Sequence, residues 1–65
     1  MYFIIELQIN NGEPAYIVKT SSSRDQAMSE YHDILHYAAI SSLTVHACVI
    51  LDECGNTIAK EYYTH

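Results

Sequence analysis

The chain has 65 residues, three Lys or Arg against eight Asp or Glu, and a formal net charge of −5 with its four histidines neutral. That length holds a single domain, residues 1–65, and at 49% apolar and 17% charged residues it is too apolar for a disordered tail. No run approaches the ~18 apolar residues of a membrane-spanning helix, and Lys19, Arg24 and Lys60 lie in three separate segments instead of the clustered basic patch that nucleic acid requires.

Met1 to Ile9 alternates, with Phe3, Ile5, Leu7 and Ile9 on one side and Tyr2, Ile4, Glu6 and Gln8 on the other. Glu6 and Gln8 within it, and the lack of a preceding cation, argue against a signal peptide. Asn11-Gly12 is the strongest short hairpin signal, because a type I′ turn needs positive φ at both central positions. Centring the turn there pairs Ile9 with Pro14, Leu7 with Tyr16, Ile5 with Val18 and Phe3 with Thr20. Pro14 cannot donate a ladder hydrogen bond, so this second strand belongs at an edge. Ser23 followed by Gln26 is a capping box, and a helix is expected from about Arg24 to Ala39. Its Ala27, Met28, Tyr31, Ile34, Leu35 and Ala38 fall within an arc of about 120°.

Leu43 to Leu51 reads as a third strand and Thr57 to Thr64 as a fourth. Asp52 to Asn56 forms the loop between them, with Gly55 suited to its left-handed position. This loop pairs Val49 with Ala59 and Val45 with Tyr63 on one face. On the other it pairs Ile50 with Ile58, Cys48 with Lys60 and His46 with Tyr62. A right-handed crossover from strand two over strand one to strand three gives an α+β fold, ββαββ. Its four-stranded antiparallel sheet has the order 2-1-3-4, with one helix packed on one face. Apolarity assigns the helix to the side of Phe3, Ile5, Leu7, Tyr16, Val18, Val45, Val49, Leu51 and Tyr63. The rival choice in the second hairpin is the side of Cys48, Ile50, Ile58 and Tyr62.

A set of features runs from Ala27 through Tyr31-His32, Ile34-Leu35, Ala38-Ala39 and Ser41. It continues to His46, Val49-Ile50-Leu51-Asp52, Gly55-Asn56 and Glu61-Tyr62-Tyr63, and is preceded by an opening strand of the type Met1-Tyr2-Phe3-Ile4. In these the chain resembles a group of short uncharacterised proteins carried on conjugative transposons and prophages of Gram-positive bacteria. The resemblance implies a mobile-element setting and a cytoplasmic location. The family brings no activity, cofactor or catalytic residue to transfer.

Chemistry-bearing residues are sparse. His32 and His36, one helical turn apart, are candidate metal ligands. They need a third or fourth donor such as Asp25, His46 or His65, and His65, as the last residue, is expected to fray. Cys48 falls on a strand and Cys54 in a turn beside Glu53, so neither has the base or positive surroundings of a nucleophile. The three residues from Cys48 to Leu51 already span ~10 Å, which disfavours a disulfide to Cys54 and points to a reducing compartment. With only Gly12 and Gly55, no phosphate-cradling loop exists, and no cofactor or enzymatic activity is expected.

With the helix on the Phe3 side, the free face carries Tyr2, Ile4, Ile17, His46, Cys48, Ile50, Ile58 and Tyr62, an apolar patch of the kind that marks interaction surfaces. Sheet aromatics also stack RNA bases, but the acidic balance opposes this. The reading is therefore a non-catalytic interaction module that self-associates or binds a protein partner, with neither nucleic acid nor membrane as partner. The alternatives are an acidic DNA mimic that inhibits a nucleic-acid-binding protein, and a histidine-based metal-binding protein.

Overall fold

The computed structural model describes residues 1–65. They form β1 (Tyr2–Asn10), β2 (Glu13–Ser21), α1 (Arg24–Ala39), β3 (Val45–Asp52) and β4 (Thr57–Thr64). The sheet order is β2-β1-β3-β4 and every neighbouring pair is antiparallel. The fold is thus the expected α+β arrangement, ββαββ with order 2-1-3-4.

The first hairpin follows from its turn. Asn11 and Gly12 take φ of 53° and 84°, the left-handed pair a type I′ turn demands. The register then falls as the turn dictates: Ile9 opposite Pro14, Leu7 opposite Tyr16, Ile5 opposite Val18, Phe3 opposite Thr20. Pro14 sits on an edge strand, where its missing N–H breaks no ladder.

The helix begins where Ser23 caps it, its hydroxyl accepting from the Gln26 N–H at 3.3 Å. Only this half of the capping box forms, because the Ser23 N–H donates to the Ser21 hydroxyl at 3.2 Å instead. At the far end His65 is docked and not frayed. Its ring Nε2 lies 3.0 Å from the Ala38 carbonyl, and its backbone N–H donates to the Thr44 carbonyl at 3.0 Å. The expected stripe faces the sheet: Ala27, Tyr31 and Ala38 are buried, with Met28, Ile34 and Leu35 packed around the core.

The second hairpin departs from expectation by one residue. Leu51 opposes Thr57, as the loop requires, but a bulge follows. Ile50 then pairs with Ala59, Val49 with Lys60, Cys48 with Glu61, His46 with Tyr63 and Val45 with Thr64. One extra residue in a strand moves every side chain beyond it to the opposite face. Lys60 and Tyr62 thereby change sides relative to the expected pairing, as do Glu61 and Tyr63.

The helix also lies on the face opposite to the one apolarity assigned, and chirality supplies the reason. Asn10 and Glu13 flank a two-residue turn, so they form a hydrogen-bonded pair. Gln8, Glu6 and Ile4 share that phase on β1, as do Ala15, Ile17 and Lys19 on β2. For L residues on a strand running upward, a side chain pointing at the viewer has its N–H and C=O directed to the right. A right-handed crossover seats the helix in front of a sheet in which β1 lies to the right of β2. The helix must then cover the hydrogen-bonded phase, the side of Ile4 and Glu6, and leave Ile5 and Leu7 outside. The buried cluster agrees: Ile4, Ala27, Tyr31, Cys48 and Ile50 form the core.

Both turn glycines have open space where a Cβ would stand, so substitution there strains only the backbone. Gly12→Val and Gly55→Val should each lower stability by at least about 1 kcal/mol, while Gly→Asn at either site should cost less. Urea midpoints check this, and two unchanged midpoints contradict the turn assignments.

Candidate interaction face

The residues expected to form a free patch are divided by the structure. Ile4 and Ile50 are 1% exposed and lie under the helix. His46 and Cys48 are buried beside them, and Tyr2 and Ile58 pack against the same core. Ile17 is on the helix side of the edge strand but beyond the helix, and stays half exposed. Tyr62 alone of that set reaches the open face, because the bulge turned it there. The cause is the crossover geometry: the helix covers the side of Ile4, Cys48 and Ile50.

The face left open is built from the other phase of each strand. Phe3, Ile5, Leu7 and Ile9 come from β1, and Val45, Ala47, Val49 and Leu51 from β3. The edge strands add Tyr16 and Val18 from β2 and Tyr62 from β4. Its one charge is Lys60. The covered side, by contrast, carries Glu6, Gln8, Lys19, His46 and Glu61. The more apolar face of the sheet is therefore the one without a helix. Leu7 is 44% exposed, Tyr16 74% and Tyr62 65%. These three join Ala47 in one row across all four strands, in the order Tyr16, Leu7, Ala47, Tyr62. Ala47 is the small member of the row, and over it lies a shallow depression of about 480 Å³ bounded by Leu7, Cys48, Val49, Lys60, Glu61 and Tyr62.

A compact polar group sits under the helix on the other face. His46 Nε2 lies 2.5 Å from Glu6 Oε2, and Gln8 donates to the same oxygen at 2.8 Å. Cys48 is directly opposite Glu6 in the ladder. Burial pushes the Cys48 thiol up to about 11, and the Glu6 carboxylate adds to the shift. At neutral pH Cys48 is therefore a protonated, packed thiol and not a nucleophile. The pairing of Glu6 with His46 has no local signal, since the two are brought together only when β1 lies beside β3.

His32 and His36 are exposed on the helix, each with its ring edge against the adjacent tyrosine, Tyr31 or Tyr37, at 5.4 Å between centroids. No group of three or more His, Cys, Asp or Glu residues stands close enough to hold a metal ion. The acids are dispersed over the covered face, the helix and both hairpin loops. The Asp52 carboxylate closes its own loop, accepting from the N–H groups of Asn56 at 2.8 Å and Cys54 at 2.9 Å and from the Asn56 side chain at 3.1 Å. These bonds, with the Asn56 N–H foremost, hold Asp52 below the ordinary Asp value. A lowered carboxylate contributes stability above the unfolded Asp value, and that stability is lost as pH falls through the folded one. No helix is long and apolar enough to cross a membrane.

Two outcomes follow from this geometry. With native protein, a thiol reagent should modify the exposed Cys54 rapidly and Cys48 only after unfolding; equal rates at both would place Cys48 outside the core. Glu6→Ala leaves His46 and Gln8 without their acceptor and should cost about 1–3 kcal/mol, read as a shifted denaturation midpoint. Comparison with protein-family models, characterised proteins and solved structures found no match to the chain.

Proposed function

We propose that the chain is a small, non-catalytic interaction module of a mobile genetic element, working in the cytoplasm through its helix-free sheet face against a protein surface. The observation that carries this reading is the inversion of the two faces: the side without a helix is the more apolar. Domains are stable when each apolar face of a sheet meets a second layer. Contiguous exposed apolar patches beyond a few hundred Å² mark binding surfaces in soluble proteins. The mobile-element setting rests on the resemblance noted in the sequence, and two unpaired thiols suit a reducing compartment. The depression over Ala47 is open and lined mainly by apolar residues, with Lys60 and Glu61 at its β4 side, chemistry that favours packing over turnover.

The residues of the module differ from those first expected. Phe3, Ile5, Leu7, Val18, Val49 and Tyr62 take the place of Ile4, His46 and Ile50. Charge insertion separates the two sets. Val49→Lys and Ile5→Lys should leave the chain folded, whereas Ile50→Lys and Ile4→Lys should unfold it by burying an unpaired charge.

Binding itself is tested by a photo-crosslinking residue introduced at Tyr16 on the open face, or at the exposed Tyr37 of the helix, in cells that make the protein. Protein adducts are expected from position 16, suppressed by Val49→Lys, with none from position 37. The reading fails if position 16 gives no protein adduct, or if Val49→Lys leaves the adducts unchanged.

A further inference from the structure

We infer that the occupant of the open face is a second copy of this chain, stacked face to face about a two-fold axis parallel to the strands, so that β1 of each copy lies over β3 of the other. The inference rests on the interaction-module reading and names its partner.

Area is the first argument. Two nine-residue and two eight-residue strands at ~3.3 Å per residue, in a sheet of four spaced ~4.8 Å apart, span about 28 × 19 Å. This agrees with the molecule's two larger dimensions, 33 × 19 Å. Two such faces, each with a footprint of roughly 530 Å², together clear the ~1,000 Å² expected of a specific interface.

Charge is the second. The face's own phase carries one cation, Lys60, with Glu61 beside it at the β4 margin, so its partner needs an apolar, nearly uncharged surface of the same outline, and the chain presents one. Two aligned sheets pack ~10 Å apart through such faces.

Shape is the third, and it selects the axis. In three successive rows the β1 side chain is larger than its β3 neighbour: Ile5 beside Val49, Leu7 beside Ala47, Ile9 beside Val45. A two-fold parallel to the strands keeps each row in register and exchanges β1 with β3, so large lies over small in all three. Leu7 of one copy then meets the depression over Ala47 of the other. Lys60, on edge strand β4, lies over edge strand β2 of the other copy, where its ammonium reaches water. An axis across the strands would instead stack β1 bulk on β1 bulk.

The test is an exchange of socket and plug between chains. Leu7→Ala leaves two empty sockets in its own dimer, and Ala47→Leu places two leucines in collision in its own. Mixed together, the two chains form a heterodimer in which both contacts are large on small. Sedimentation equilibrium should show wild-type dimers, with each variant alone associating at least about tenfold more weakly and the mixture recovering to within about threefold of wild type. Circular dichroism confirms that both variants are folded, and Ala47→Val replaces Ala47→Leu if the larger residue prevents folding. A wild-type chain that is monomeric at about 100 μM, or a mixture that associates no better than its components, overturns the inference. A monomeric wild type that still gives Tyr16 adducts of a different protein overturns the second copy and leaves the interaction module standing. Loss of both overturns both.

Discussion

A single sixteen-residue helix can cover only one face of a four-stranded sheet, and the hand of the connection that carries it decides which. The helix is ~24 Å long and ~10 Å wide with side chains, against a sheet of about 28 × 19 Å. It settles over β1 and β3 on the side of Ile4, Cys48 and Ile50. Edge strand β2 remains exposed along nearly its whole length. Everything distinctive about the molecule follows: a covered side with ionisable groups in it, and an uncovered side almost without them.

The covered side is a small core. Six apolar residues and His46 are buried in the whole chain, and the cluster that includes Ile4 and Ile50 has five members. A domain of this size buries only about 60% of its unfolded surface even when well packed. Part of that interior is spent on Glu6, Gln8 and His46, whose bonds to the one Glu6 oxygen add little net stability relative to an aliphatic core. The His46 Nδ1 has no partner. Such a core gives a marginally stable monomer, and a second apolar layer on the open face is the available source of further burial. Small residues help the helix fit over this side: Ala27, fully buried, shares one core cluster with Cys48, and Ala59 packs against it.

Much of the fold was legible in the residues because local chemistry and long-range pattern agreed. Asn11-Gly12 set the first hairpin and its register, Ser23 set the start of the helix, and the position of Pro14 marked β2 as an edge. Two features were not legible by the same means. The bulge after Leu51 leaves no composition signal, since Ile58 is as good a strand residue as its neighbours. Its effect, turning Tyr62 outward and Tyr63 inward, is visible only in the ladder. The choice of face was legible in principle but not from apolarity, because both sides of the second hairpin are apolar. The phase of hydrogen bonding set by the turn, combined with the hand of the crossover, selects Ile4 over Ile5. The interaction face suffered most from this. Of the residues first assigned to it, Ile4, His46 and Ile50 form part of the interior, while the idea of a helix-free apolar face survives with Leu7, Val49 and their neighbours in it.

If the open face is half of a shared core, association adds to the stability of the folded chain. The most direct measurement is the urea midpoint of the wild-type chain as a function of its own concentration, followed by circular dichroism. Coupled association makes the midpoint rise with every increase in concentration, by the equivalent of about 1.4 kcal/mol per tenfold for a dimer that unfolds to two free chains. A midpoint that stays constant over a hundredfold range would contradict the account, because the apolar face would then be stable in water on its own.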